Sequence, residues 1–398
     1  SGSSVANVVS TGTFTIPLIK SVGYSPVFAG AVEAVASTGG QIMPPVMAAV
    51  AFIMADYLGV SYLSICKAAL IPAVLYYFCL FFMVDAKAIK LNIKGLTKEE
   101  LPNTKQVVRS GWYLAIPFVV LIGMMFLNYT PMKSGFWALV SLIVIVLIAD
   151  RKRLSLDKVI QGLKGGATGL ISVSATSACA GIIVGVIMLT GLGLKFTSLI
   201  TTLSGGNLVI AMAIAAVVAI ILGMGLPTVP AYIVMSSLVA PALIQMGATP
   251  IAAHMFVLYF AVLSCITPPV AIASYAAAAI SGADAVKVGF ASMKLGIIAY
   301  IIPFLFVLNP VLIAQGSLLT VLWTFFTACV GCVALTWAIE GVIDEKISWI
   351  WRLACLVAAA LTLFPEGISD LLGLACFAVI VFMFKFRGKK APGEGAAI

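Results

Sequence analysis

The residues best suited to holding an ion in this sequence lie in two short runs, Ser37-Thr-Gly-Gly-Gln-Ile-Met-Pro-Pro45 and Ser264-Cys-Ile-Thr-Pro-Pro269, each set inside an apolar stretch. Gly and Pro interrupt a helix there and leave carbonyls and amides without helical partners. Two Gly/Ser/Thr/Pro tips, Ser1–Ser4 and Gly225–Thr228, each lead into an apolar helix. Helix ends offer carbonyl oxygens to cations and amides to anions. Ser3, Ser4, Asn7, Ser37, Thr38, Gly39 and Gly40 can therefore supply hydroxyl, amide and backbone oxygens to one small hard cation. Gly225, Thr228, Ser264, Cys265 (through its carbonyl) and Thr267 can do so for a second. An all-oxygen shell without an obligatory carboxylate suits Na⁺ rather than a transition metal. At the same ends, Ser4, Thr38, Pro44, Pro227, Thr228 and Pro268 are the candidate substrate-binding positions.

Other chemistry finds no constellation. His254 is the single His and has no ligand-spaced partners, so packing is expected of it and no metal centre is supported. Without an acid dyad, a His pair or a partnered nucleophile, the chain is read as non-enzymatic and free of organic cofactors. The eight Cys lie in or beside apolar segments and read as small hydrophobes, Cys329-x-x-Cys332 included. Glu33 falls in a short apolar helix, either as an intramembrane acid that binds a proton or as an interfacial residue. Asp56, Asn309 and Asp370 near span ends, and Glu340, Asp344 and Glu345 in a short loop, are read as solvated. Ser172, Ser174, Thr176, Ser177 and the glycines around them are read as small residues that let helices approach closely.

What must position these groups is a bundle of membrane helices. Of the 398 residues, 62% are hydrophobic and 9% charged, against roughly 45–50% and 25% in soluble domains; the mean hydropathy is +1.18. A spanning helix needs about 20 mostly apolar residues. Such stretches recur at 63–84, 111–127, 135–149, 208–222, 291–314, 318–339, 350–364 and 371–386.

The net charge of +9 is not a nucleic-acid footprint, because the basic residues sit in loops. Lys87, Lys90, Lys94, Lys98, Lys105 and Arg109 fall in one, Arg151, Lys152, Arg153, Lys158 and Lys164 in the next, and Lys385, Arg387, Lys389 and Lys390 in the tail. Counting spans from these loops places Lys20, Lys287, Lys294, Lys346 and Arg352 on the same side and only Lys67, Lys133 and Lys195 on the other, the positive-inside pattern. Partners are therefore expected in the lipid and not in nucleic acid.

The chain repeats itself. At a constant offset of 224 residues, Gly23-Tyr-Ser-Pro26 and Pro44-Pro45-Val46 recur as Gly247-Ala-Thr-Pro250 and Pro268-Pro269-Val270, and Ser1–Ser4 overlies Gly225–Thr228. Each copy predicts a tip, an apolar helix (5–19; 229–246), a turn, a short helix (27–36; 251–263), an interruption and a second short helix (46–57; 270–280). The second copy has a preceding hairpin limb at 208–222, whereas the first is expected to lack its limb and to start inside its hairpin. The charge count puts the turn at 20–26 inside and its equivalent at 246–250 outside, so the repeats are inverted. Broken helices in matching positions of inverted repeats mark the binding site of a secondary transporter. The expected fold is all-α and polytopic, with inverted repeats that each carry a re-entrant hairpin and a discontinuous helix. The expected division is 1–62 and 207–290 as the two transport parts, 63–206 as scaffold helices and loops, and 291–398 as C-terminal helices and basic tail.

Ser1-Gly-Ser-Ser-Val-Ala-Asn-Val-Val-Ser-Thr-Gly12, Ala36-Ser-Thr-Gly-Gly-Gln-Ile-Met-Pro-Pro45, Leu222-Gly-Met-Gly-Leu-Pro-Thr-Val-Pro-Ala-Tyr232 and Ala299-Tyr-Ile-Ile-Pro-Phe-Leu-Phe-Val-Leu-Asn-Pro310 resemble the large permease subunit of tripartite ATP-independent periplasmic (TRAP) transporters, most of all the fused permeases of the TAXI branch. The resemblance implies an elevator-type importer in a prokaryotic inner membrane, coupled to Na⁺. Its substrate, usually an organic acid, comes from a periplasmic binding protein, and a small permease subunit or fused equivalent lies outside this chain. It also implies sodium sites at Ser3, Ser4, Asn7, Gly39 and Gly40, and at Gly225, Thr228, Ser264 and Thr267. A divalent-anion/Na⁺ symporter that needs no binding protein is the alternative; an intramembrane enzyme or a channel is further off.

Overall fold

The structure is a computed structural model that describes residues 2–95, 103–127, 129–149, 155–364 and 367–387; among these the only strand-like pairing is an isolated bridge between Val342 and Lys346. The chain runs through α1 (Ser4–Ser21), α2 (Pro26–Gly39), α3 (Val50–Leu58) and α4 (Tyr62–Leu91). It continues through α5 (Thr104–Gly111), α6 (Ile116–Phe126), α7 (Pro131–Ala149), α8 (Leu156–Leu189) and α9 (Leu192–Leu203). The second repeat is α10 (Leu208–Gly223), α11 (Thr228–Leu238), α12 (Ala240–Gln245), α13 (Pro250–Leu263), α14 (Ile272–Ser281), α15 (Ala285–Leu295) and α16 (Ile297–Leu308). The last helices are α17 (Leu318–Glu340), α18 (Trp349–Leu363) and α19 (Ile368–Arg387). Among the described residues, six helices are long and apolar enough to cross a membrane, and α15 with α16, bent by 41°, makes a seventh. The protein is an all-α polytopic membrane protein.

The 224-residue repeat is structural down to its caps. Pro26 and Pro250 begin α2 and α13 at the same offset, where a fixed φ and a missing N–H cost a helix nothing. Ser25 accepts a hydrogen bond from the Phe28 amide, and Thr249 accepts the equivalent one from Ala252. Gly23 (φ 111°) and Gly247 (φ 102°) turn the chain just before, in a backbone region open to glycine. The Pro44–Pro45 and Pro268–Pro269 peptides are both cis.

The two repeats pack on each other reciprocally. α14 lies against α1 and α2 of the first repeat, and its counterpart α3 lies against α11 and α13 of the second, over a smaller surface. Such an exchange is what a two-fold relation between the halves produces. Every residue of α13 from Ala252 to Leu263 is buried. By contrast α6, α7 and α8 leave large apolar side chains exposed, Phe118, Val119, Leu139, Leu147, Leu170 and Leu189 among them, as lipid-facing helices do.

The two equivalent turns have different surroundings. Lys87, Lys294 and Glu340 line one small cavity together with Ser25 and Phe28 of the first turn. Lys90 donates to the Glu340 carbonyl, and Arg352 donates to the carbonyls of Ala338 and Ile339 at the same helix end. The equivalent turn of the second repeat packs elsewhere, with Met246 against Ser204 at the end of α9.

Five readings of the sequence change. The helix expected over 229–246 divides at Val239 into α11 and α12, and the stretch 291–314 breaks at Gly296 into α15 and α16. The longest helix, α8, lies outside the eight stretches counted from hydropathy. Its glycines do not serve close packing: a Cβ at Gly162, Gly165, Gly166, Gly169, Gly181 or Gly185 would meet nothing within 4 Å. Glu340 and Asp370 are not solvated but 2% and 1% exposed, because Glu340 pairs with Lys294 and Lys90 and Asp370 accepts from the Trp323 indole. Asp56, Asp344 and Glu345 are exposed as expected, and His254 is packed against the Tyr232 hydroxyl at 2.7 Å. Lys98, Arg151, Lys152, Arg153, Lys389 and Lys390 lie outside the described residues.

Candidate functional site at the crossed tips

Each tip reaches into the broken helix of the other repeat. Thr228, the first residue of α11, donates its hydroxyl to Gln41 Oε1 in the first break at 2.6 Å. Ser4, the first residue of α1, lines one cavity with Cys265 of the second break, whose thiol lies 3.9 Å from the Thr228 hydroxyl. At the offset of 224, Ser4 is the counterpart of Thr228 and Gln41 the counterpart of Cys265. The repeat thus brings two pairs of equivalent positions to one place, where the tips of both halves meet the breaks.

The local fold dictates this meeting. Ser3 caps α1 by accepting from the Ala6 amide at 3.3 Å, which sets Ser4 at the start of the helix. Gly225, at φ 79°, makes the tip between α10 and α11, and Pro227 leads into Thr228. The chain of α10 comes close to the second break at Gly223, where an added Cβ would lie 2.9 Å from Ser264 Oγ. In both breaks the helix tightens by a turn, with Gln41 N donating to Thr38 O at 3.1 Å and Cys265 N to Val262 O at 3.2 Å. Both then fold back on themselves, Ala48 N to Gln41 O and Ala273 N to Cys265 O, each at 2.9 Å.

Between the tips lies a cavity of about 570 Å³ lined by Gly2, Ser3, Ser4, Gly225, Thr228 and Cys265, with Pro227 beside them and Gly166, Gly169 and Thr176 of α8 opposite. Its chemistry serves either sign of charge. Thr228, which lines the cavity, gives its hydroxyl proton to Gln41 and keeps its oxygen lone pairs for a small hard cation, and Ser264 beside the second tip gives its proton to Ala261 O at 2.8 Å. The N-termini of α1 and α11 present amides and the positive ends of two helix dipoles. Buried against Thr228, Gln41 Nε2 has no hydrogen-bond partner among the described residues. A donor left unpaired in a dry interior costs free energy unless something accepts from it, and a carboxylate oxygen is suited to do so.

The candidate residues divide accordingly. Ser3, Ser4, Gly225, Pro227, Thr228 and Cys265 line the cavity, and Ser264 faces Gly223 of α10 next to it. Cys265 meets Thr228 through its thiol, while its carbonyl, the expected ligand, accepts from Ala273. The others face elsewhere. Asn7 donates to Ser37 at 2.9 Å, Thr267 bonds Tyr300 at 2.6 Å, and Pro268 packs against Gly289. Gly39 lies under the rings of Tyr76 and Tyr77. Thr38, Gly40 and Pro44 do not line the cavity. Gln41 was no candidate, although its equivalence to Cys265 in the repeat is a signal that could have found it.

The family model of the tripartite ATP-independent periplasmic transporter, DctM component, matches residues 1–321. A Haemophilus influenzae protein named "Putative TRAP transporter large permease protein" is 24% identical over 275 residues, covering 68% of this chain and 63% of that protein. The matched segment thus spans less than two thirds of that relative's length.

Proposed function

The chain belongs to the family of the DctM component of tripartite ATP-independent periplasmic transporters, and on that premise we propose that it is the permease part of a secondary transporter that imports a small organic acid with Na⁺. The observation that carries this reading is the meeting of both tips at the breaks, with Thr228 bonded to Gln41 and beside the Cys265 thiol and Ser4 lining the same cavity. A carboxylate held at the centre accepts from Gln41 Nε2 and from the amides of two helix N-termini. Na⁺ ions lie on the hydroxyl and carbonyl oxygens of Ser3, Ser4, Thr228 and Ser264, where their charge offsets the anion's. Neither ion nor anion is well held without the other, which is the condition for coupled transport.

Ions bridging a tip to the opposite break also close the hairpins. The loaded core of α1–α3 and α10–α14 then moves as a body past the lipid-exposed helices, carrying the site from one face to the other. Substrate arrives from a soluble periplasmic binding protein, a small permease subunit completes the assembly, and the membrane is the prokaryotic inner membrane.

The test is uptake by the full-length protein in proteoliposomes with its cognate binding protein. Accumulation should require both that protein and an inward Na⁺ gradient. Equal accumulation without Na⁺ would contradict the coupling, and equal accumulation without the binding protein would favour the stand-alone symporter.

A further inference from the structure

A second cavity lies further along α11, away from the crossed tips. It encloses about 560 Å³ and shares no lining residue with the first. Thr228 begins α11 and Ser236, which lines the second cavity, lies on the same helix, about 12 Å further on at a rise of about 1.5 Å per residue. Val184 and Ile187 of α8, Leu194 of α9 and Pro241 of α12 make its walls apolar, and His254 of α13 supplies a polar edge. A site for a drug-sized ligand is a hollow of roughly 300–1,000 Å³, mostly apolar, with a few placed polar groups.

The hydrogen bonds fix which proton His254 carries. Tyr232 is fully buried and, among the described residues, its hydroxyl has one partner, His254 Nδ1 at 2.7 Å. A phenol that accepted there from Nδ1–H would leave its own proton unpaired in a dry interior, which costs free energy. Tyr232 therefore donates to Nδ1, and the ring proton sits on Nε2. His254 lines the cavity and Tyr232 does not, so the Nε2–H edge, opposite Nδ1, faces the opening. The Ser236 and Ser237 hydroxyls give their protons to the Ile233 and Val234 carbonyls of their own helix, at 3.0 and 2.8 Å, and keep only lone pairs for a ligand.

Among the described residues no charged side chain lines the cavity, and a buried charge without a partner is costly. The ligand this suits is neutral. Met188 and Leu194 line the cavity and are themselves exposed, so its mouth is apolar and entry is from the hydrocarbon. The first half has no such site: Gly30 stands at the position equivalent to His254, and a Cβ there would lie 3.1 Å from Ser281 Oγ.

We propose that this cavity binds a neutral, lipid-soluble small molecule whose hydrogen-bond acceptor faces His254 Nε2, and that such a molecule inhibits transport. The inhibition rests on the transport reading. Tyr57 of α3, Ser236, Pro241 and His254 belong to the core that moves in that reading, whereas Val184 and Ile187 belong to α8, one of the helices it moves past. A molecule in contact with both walls ties together two bodies that must slide.

Nitrogen NMR of the full-length protein in lipid nanodiscs, labelled at histidine and made without a histidine tag, tests the site. The His254 signals are those lost in His254→Phe. The probe is benzophenone, which is neutral and lipid-soluble and carries one carbonyl between two apolar rings. The free protein should show the Nε2–H tautomer, and benzophenone should shift the Nε2 signal saturably. Diphenylmethane, the same shape without the carbonyl, should bind roughly five-fold more weakly, as the loss of one neutral hydrogen bond implies. Leu194→Trp, which fills the mouth, should abolish the shift. An Nδ1–H tautomer, no shift with benzophenone, or a shift that persists in Leu194→Trp overturns the site; equal binding of diphenylmethane overturns the role of His254. In proteoliposomes benzophenone should slow uptake by the unaltered protein several-fold and leave the rate of Leu194→Trp unchanged. Benzophenone that binds without slowing uptake overturns the inhibition. A protein that binds it but shows no uptake under any condition refutes the transport reading and leaves the site standing.

Discussion

Thr228 and Gln41, 187 residues apart, are joined by a 2.6 Å hydrogen bond that links the tip of one repeat to the broken helix of the other. The reciprocal pair, Ser4 and Cys265, lines the cavity beside them. Because each pair takes one member from each repeat, neither half of the molecule can form the site alone, and a change in one tip is felt in the opposite break.

Gln41 carries an unpaired amide donor in this account. Gln41→Ala removes both that donor and the Thr228 partner, and a hydrogen bond to a charged group contributes about 1.5–3 kcal/mol. The half-saturating substrate concentration for uptake should rise roughly ten-fold or more, since about 1.4 kcal/mol is a factor of ten. Gln41→Glu keeps an acceptor for Thr228 but sets an oxygen where the substrate's carboxylate approaches, and should be worse than Gln41→Ala.

Gly39 sits where a Cβ would fall within 2.9 Å of Tyr77 Cζ and closer still to Tyr76. Neither ring can withdraw freely, because their hydroxyls are bound to the Val35 and Ala36 carbonyls at 2.7 and 2.8 Å. Gly39→Ala should cost about 1–3 kcal/mol by overpacking and lower the unfolding temperature in detergent. Gly185→Ala on the open face of α8 should be neutral or stabilising by up to about 1 kcal/mol through helix propensity.

Glu340 is 2% exposed and its charge is met by Lys294 and, at 3.7 Å, by Lys90. Lys294→Ala leaves a buried carboxylate under-partnered, which costs about 1–3 kcal/mol. Glu340→Gln in the same chain should restore much of the loss. Thermal unfolding of the single and double variants measures the recovery; equal losses in both would show that the ion pair is not what matters there.

The repeat was legible because it is written in Gly and Pro, whose backbone effects are local and survive any packing. Pro26 and Pro250 begin α2 and α13 at the predicted offset, and the Pro-Pro pairs interrupt both repeats. What was not legible depends on distant partners. Glu340 and Asp370 lie at helix ends and read as solvated, yet Lys294 and Trp323 bury them from 46 and 47 residues away. Asn7 and Thr267 have the composition of ligands, and their bonds to Ser37 and Tyr300 on other helices could not be read from the sequence. The glycines of α8 suggested close packing, and only the fold shows that their side of the helix is open.

The claim on which the rest depends is that the two tips form one Na⁺-dependent site. Na⁺ titration of uptake by the full-length protein, compared with Ser4→Ala and Thr228→Ala, tests it most directly. Each variant should need about ten-fold more Na⁺ for half-maximal uptake, the effect of losing roughly 1.4 kcal/mol of ligand interaction. An unchanged sodium titration in both variants would contradict the account.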